Sequence, residues 1–176
     1  FEETKTLPTI VGLCEVENKN VVEDLINSDL LKNANYGISH FDSPDERGID
    51  VALIYRKKMF KILNENSAYL ELKYSSGKIN YTRDQLVVEG VLENEKIYII
   101  VNHWPSRSGG ELGSRPYRNK AAELNMFIID SIQSINKNAK IITMGDFNDD
   151  PTNESIKKIL GAKDSRNNLK NSDLYN

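Results

Sequence analysis

The stretch VVEGVLENEKIYIIVNHW, residues 87–104, decides how the rest of the chain is read. Two apolar runs, 87–92 and 97–101, flank the polar turn Glu93-Asn94-Glu95, the pattern of an antiparallel hairpin. The second run delivers Asn102-His103-Trp104-Pro105-Ser106-Arg107, so a histidine stands at a strand end before a cation-rich loop. Outward from the hairpin, apolar patterning predicts further strands over residues 9–14, 36–41, 49–55, 61–72 and 140–144. A helix is predicted to open at Asn20, with Glu23 three residues on as a capping box. Its Val21, Val22, Leu25 and Ile26 share one face. A longer helix, from about Pro116 to Ile135, carries the stripe Ala121, Leu124, Ile128, Ile132 and Ile135. A short one opens near Asp150-Pro151-Thr152 and stops at Gly161, after which the tail is polar loop. The order is therefore β-α-β-β-β-β-β-α-β-α. Strands in runs, with helices between the runs, predict an α+β fold with sheets covered by helices rather than a doubly wound parallel sheet.

Composition bounds the partners. The 176 residues carry 23 Lys+Arg against 26 Asp+Glu, a net charge of −3, which argues against a protein that coats nucleic acid broadly. Hydrophobic residues are 39% and charged residues 28%, ordinary globular usage for one domain. No run approaches the ~18 apolar residues of a membrane span, and the N-terminal residues lack the pattern of a signal peptide. Cys14 is the single cysteine, so an intrachain disulfide and a multi-cysteine zinc site are both excluded. These features leave the compartment and the oligomeric state open.

The polar residues that could carry chemistry stand at the ends of apolar strands, where a buried sheet can converge them on a cleft. Asp146 and Asn148 flank Phe147; in extended geometry the acid and the amide share one side, able to orient water and hold a phosphate oxygen or a hard cation. A helix-capping turn is the competing reading of the same residues. Asp149, Asp150 and Glu154 read as solvent-facing charge at a helix start. Glu15 follows a largely apolar run and offers the oxygen ligand that suits Mg²⁺, or simply marks the strand's exit into solvent. His103 can donate to a phosphate oxygen or exchange protons near neutral pH, whereas His40 reads as structural. Over residues 102–120, Arg107, Arg115, Arg118 and Lys120 face Glu111 alone, a local charge of +3. Arginine forks suit phosphate oxygens, and Gly109, Gly110 and Gly113 read as a flexible loop around them. Asp50, in Arg47-Gly48-Ile49-Asp50-Val51-Ala52, could orient His103 or open a strand at the surface. Arg83 could face phosphate or pair with the adjacent Asp84. Cys14 and Trp104 read as packing residues, with Trp104 also a candidate cleft wall.

Four pieces in order carry a resemblance: Gly12-Leu13-Cys14-Glu15-Val16-Glu17, Arg47-Gly-Ile-Asp50-Val-Ala-Leu-Ile-Tyr55, Asn102-His103-Trp104-Pro105-Ser106 and Gly145-Asp146-Phe147-Asn148-Asp149. Together they resemble the endonuclease/exonuclease/phosphatase superfamily, the deoxyribonuclease-like proteins, in a bacterial-type form. The resemblance implies a four-layer α/β sandwich, two mixed β-sheets packed face to face with helices outside. It implies metal-dependent hydrolysis of phosphate esters with Mg²⁺, or Mn²⁺ in its place, by a nuclease or phosphodiesterase. Glu15 matches the metal-binding glutamate, His103 the histidine at the scissile phosphate, Asp146 the aspartate that positions water, and Asn148 the asparagine on a phosphate oxygen. Asp50 matches an acidic partner for His103, while Arg107, Arg115 and Arg118 would guide a phosphate-ester substrate, nucleic acid among the candidates. A phosphomonoesterase or sphingomyelinase-type member and a non-catalytic binding domain of the same fold are the alternatives. The family's asparagine on an earlier strand and its closing Asp-His pair have no match here, so the expectation is a single domain incomplete at both termini, the natural protein extending beyond Phe1 and Asn176.

Overall fold

The computed structural model describes residues 6–176 except Asn168 and Asn171; the first five residues and these two positions of the polar tail lie outside the description. Strand β1 (Ile10–Val16) leads into helix α1 (Lys19–Ile26), then β2 (Tyr36–His40) and β3 (Asp50–Arg56). The order β1-β3-β2 makes a three-stranded sheet, antiparallel throughout. A second sheet has the order β4-β7-β8-β9, built from β4 (Phe60–Ala68), β7 (Gln85–Leu92), β8 (Glu95–His103) and β9 (Lys140–Asp146). Between β4 and β7 lies a small hairpin, β5 (Leu72–Lys73) with β6 (Ile79–Asn80). Among the described residues, the mixed sheet is the second one, because β8 and β9 run parallel. A parallel pair needs a long crossover, and helix α2 (Glu111–Ile135) supplies it.

The two sheets face each other over one apolar core that includes Val51, Leu53, Phe60, Val88, Ile99 and Val101. Strand alternation sorts β8 between its two faces. Ile97, Ile99 and Val101 enter this core, while Ile100 turns outward to Ile129 of α2. On the far side of the first sheet, Val22 of α1 packs on Ala52 and Ile54. The layers are thus α1, sheet, sheet, α2: the α+β four-layer sandwich. At Gly12 a Cβ would lie 2.8 Å from the Met144 sulfur, so glycine there lets β1 lie close against the second sheet.

Local details differ from the sequence-based expectations for physical reasons. The hairpin turn is two residues, Glu93 (φ 48°) and Asn94 (φ 69°), because two left-handed residues match the right-handed twist of the paired strands. Helix α1 is capped by Asn18 rather than Asn20; its Oδ1 accepts from the backbone N–H groups of Asn20 and Val21 at 2.9 and 3.2 Å. Helix α2 begins at Glu111, so Gly113 and Arg115 are helical rather than part of a flexible loop, and Pro116 sits inside the helix. Ion pairs from Glu111 to Arg115 and Arg118 hold this extra turn. The segment after Pro151 forms one π-turn, Ser155–Ile159, instead of a regular helix. Among the described residues, no helix is long and apolar enough to cross a membrane.

Candidate active site

Two strand ends build the centre. In the parallel ladder of β8 and β9, His103 and Asp146 are register partners at the last rung, and the Trp104 N–H donates to the Asp146 carbonyl at 2.9 Å. Gly145 permits this rung: its φ is 128°, and a Cβ would lie 2.0 Å from the Asn102 carbonyl oxygen. Across the sandwich, β1 ends in a bulge. The pairing with β3 skips between Cys14 and Val16, leaving Glu15 unpaired at φ 58°. Bulges re-aim a side chain at a sheet edge. The Glu15 carboxylate comes to 4.0 Å from His103 Nε2, and an Asp146 carboxylate oxygen lies 4.0 Å from the same nitrogen. Both carboxylates are largely exposed, at 68% and 54%, whereas the imidazole side chain is 4% exposed.

The Asp146 oxygens are divided. Oδ1 accepts the Asn148 backbone N–H at 2.9 Å, while Oδ2 turns toward His103. Asn148, at φ 51°, donates from its side-chain amide to the Trp104 carbonyl at 2.9 Å. An amide nitrogen carries two hydrogens, so one stays available. Burial, then the positive charge of Arg83, holds the His103 pKa below its ordinary value, although Asp146 and Glu15 pull the other way. His103 Nδ1 is buried without a hydrogen-bond partner among the described residues. Cys14 beside this centre donates its thiol to the Asn102 carbonyl at 3.2 Å, and burial raises its pKa.

Other candidates go elsewhere. Asp50 does not serve His103: its Oδ2 is 3.1 Å from His40 Nε2, and its Oδ1 accepts the Ser43 N–H and hydroxyl at 2.8 and 2.6 Å. With Asp42, this pair forms a His/Asp/Asp group close enough to hold a cation. The hydrogen bonds already made to Asp50 describe a buried clasp over the loop from β2 to β3. Arg118 cannot guide a substrate as placed, since its side chain is fully buried. Its guanidinium donates to Asp149 at 2.6 Å, Ser114 at 2.8 Å and Glu111 at 3.1 Å. Asp149, expected at the surface, is the buried partner of this rivet between α2 and the loop after β9, at 1% exposure. Arg115 is half-exposed and pairs with Glu111 at 3.4 Å. Arg107 latches the same loop, donating to the Asn148 carbonyl at 2.9 Å and to Asp150 at 3.0 Å. Trp104 is wholly buried and packs edge-on against Phe147 rather than walling a cleft.

Among the described residues, Arg83 and, more weakly, Arg47 disfavour the charged form of His103. Arg83 pairs with Asp45 at 3.1 Å and donates to the Trp104 carbonyl at 2.8 Å, while its sequence neighbour Asp84 takes the Ser67 hydroxyl. Arg47 was visible only as a motif letter; a single arginine before a glycine carries no signal of its own.

The exposed oxygen donors fit a hard divalent cation: such ions take carboxylate oxygens and keep several waters, and Glu15 presents an open carboxylate from a bulge. No curated protein matches the chain. Among solved structures, the human Nocturnin catalytic domain with bound sulfate aligns at TM-score 0.59 and 22% identity, over 87% of this chain and 57% of that one. The endonuclease/exonuclease/phosphatase protein from Bacteroides vulgatus aligns at 0.59 and 17%, over 89% and 57%. D. rerio TDP2 complexed with a single-strand DNA product aligns at 0.57 and 16%, over 86% and 52%. The chain spans about half the length of these structures, and the likeness shows the shared fold. Residues 2–176 match the model described as the Endonuclease/Exonuclease/phosphatase family, and the chain belongs to that family.

Proposed function

We propose that this protein hydrolyses phosphate esters, as a nuclease or phosphodiesterase, by in-line attack of water on phosphorus. One observation carries the reading: two exposed carboxylates, Glu15 and Asp146, converge at 4.0 Å on the same buried imidazole nitrogen, from strands of opposite sheets. Glu15 would hold Mg²⁺, or Mn²⁺ in its place. Such an ion, when bound, neutralises charge on the phosphate and on the leaving oxygen.

The chain's own groups divide the remaining work. Asp146 Oδ2, free of the backbone bond that occupies Oδ1, accepts the proton of the attacking water and fixes its direction. Neutral His103, with Nε2 facing the opening, donates to a non-bridging phosphate oxygen. The spare amide hydrogen of Asn148 donates to a second. Fixed donors aimed at charge that grows in the transition state supply large rate factors. The water oxygen bonds to phosphorus, the P–O bond to the leaving alkoxide breaks, and the alkoxide recovers a proton from solvent.

Hydrolysis of single-stranded DNA, bis(p-nitrophenyl) phosphate and p-nitrophenyl phosphate in Mg²⁺ tests this. Asp146→Asn should lower kcat by about 10²–10⁴-fold, the usual worth of a positioned acid–base group. Wild-type protein inert on every ester with either metal would overturn the reading and favour a binding domain of the same fold.

A further inference from the structure

We propose that the cleft beside His103 is a base-stacking subsite, which makes the substrate a single-stranded nucleic acid and seats the nucleoside next to the scissile phosphate. This rests on the phosphodiesterase reading above and narrows it. The cleft, about 360 Å³, runs from the β5–β6 hairpin to the loop after Trp104. That volume lies at the small end of ligand sites, the size of one sugar and base rather than a protein chain.

Its lining has the composition that such an occupant needs. Tyr74 and Tyr81 are 41% and 44% exposed, and Tyr117 of α2 also lines the cleft. The hairpin turn fixes the position of Tyr74: its N–H donates to the Lys78 carbonyl, and Gly77, at φ 82°, returns an N–H to the Tyr74 carbonyl. Exposed tyrosines held on a short, turned ribbon offer π-faces without losing much chain entropy, and every base has a face to set against them. Arg47 and Arg83 line the same cleft with Glu46 and with Asp45, which pairs with both arginines, and Ser106 adds a hydroxyl for a sugar. Arg83 is more than nine-tenths buried, yet its Nε has no hydrogen-bond partner among the described residues. The cleft adjoins the catalytic centre: Arg83 in its lining donates to the carbonyl of Trp104, the residue that follows His103, and Pro105 and Ser106, next along the chain, form part of its wall. Three tyrosines beside two arginines distinguish this lining from a bare phosphate pocket.

Fluorescence anisotropy on the full chain separates base from phosphate. The probes are fluorescein-labelled pentathymidylate and an abasic pentamer of equal charge, in low-salt EDTA buffer where nothing is cleaved. Wild-type protein should bind the base-bearing probe at least tenfold more tightly. Tyr81→Ala and Tyr74→Ala should reduce that ratio toward one without changing abasic binding, and Tyr81→Phe should keep it. Arg47→Gln should weaken both probes alike, as a phosphate contact does. Equal affinity for the two probes in wild-type protein, or no binding of either, overturns the subsite. Base-selective binding by a protein that hydrolyses no ester instead overturns the catalytic reading and leaves the subsite standing.

Discussion

Arg83 and Asn148 donate to one and the same carbonyl oxygen, that of Trp104, at 2.8 and 2.9 Å. Arg83 precedes β7 and Asn148 follows β9, so this oxygen ties the two strands that flank β8 to the residue after His103. The imidazole's position therefore depends on side chains that do not touch it.

Removing the arginine should be costly. Asp45 is 4% exposed and relies on Arg83, with Arg47 a more distant partner at 3.6 Å. Arg83→Met leaves a buried carboxylate largely unpaired, and breaking a buried pair from one side typically costs 3–5 kcal/mol. About 3 kcal/mol is expected, the low end because Arg47 remains, read from urea denaturation of the two proteins.

Glu15 should be dispensable for folding and necessary for metal. Its side chain is 68% exposed and forms no pairing hydrogen bond in the β1–β3 ladder. Glu15→Gln keeps the shape and removes the charge, so Mg²⁺ affinity by titration calorimetry should fall about tenfold or more while Tm moves by less than about 2 °C. Unchanged Mg²⁺ affinity would remove Glu15 from the site.

His103 should titrate below 6.5, the ordinary imidazole value, because burial and then Arg83 disfavour its charged form. An unfolded chain takes up this proton near 6.5 and the folded protein only at lower pH. The stability from the neutral buried ring is then full above 6.5 and is lost as pH falls through the folded midpoint. NMR of the ring protons in metal-free buffer reads the midpoint directly. Glu15→Gln should lower it further, since that carboxylate favours the imidazolium.

Gly145→Ala should disturb stability and turnover together. The new methyl would meet the Asn102 carbonyl at 2.0 Å on a backbone with φ 128°. Strain of this kind costs about 1–3 kcal/mol, and relief requires β9 to shift at the rung that pairs Asp146 with His103. Thermal denaturation and ester hydrolysis should both decline, in contrast to Asp146→Asn, where hydrolysis alone falls.

The sequence by itself determined the longer elements and the family, whereas the strand predicted over 61–72 stops at Ala68 and the small β5–β6 hairpin was not read. Apolar runs of period two and a long 3.6-residue stripe are local signals, so the β7–β8 hairpin, α2 and the strand ends at His103 and Asp146 were legible. Side-chain partners were not, because they depend on which elements lie across from each other. Nothing local in Gly-Ile-Asp50 says that β2 will lie on β3 and present His40, which takes the carboxylate away from His103. Likewise the charge of residues 102–120 looked like an open cationic surface. Once the chain is helical from Glu111, Arg118 faces inward, and its pairing with the buried Asp149 and with Glu111 makes that burial tolerable. The aim of Glu15 is also a tertiary outcome: period two would carry it along the strand's alternation, and the bulge against β3 turns it toward the imidazole of the opposite sheet. Period and propensity are properties of neighbours in the chain; a site is made by neighbours in space.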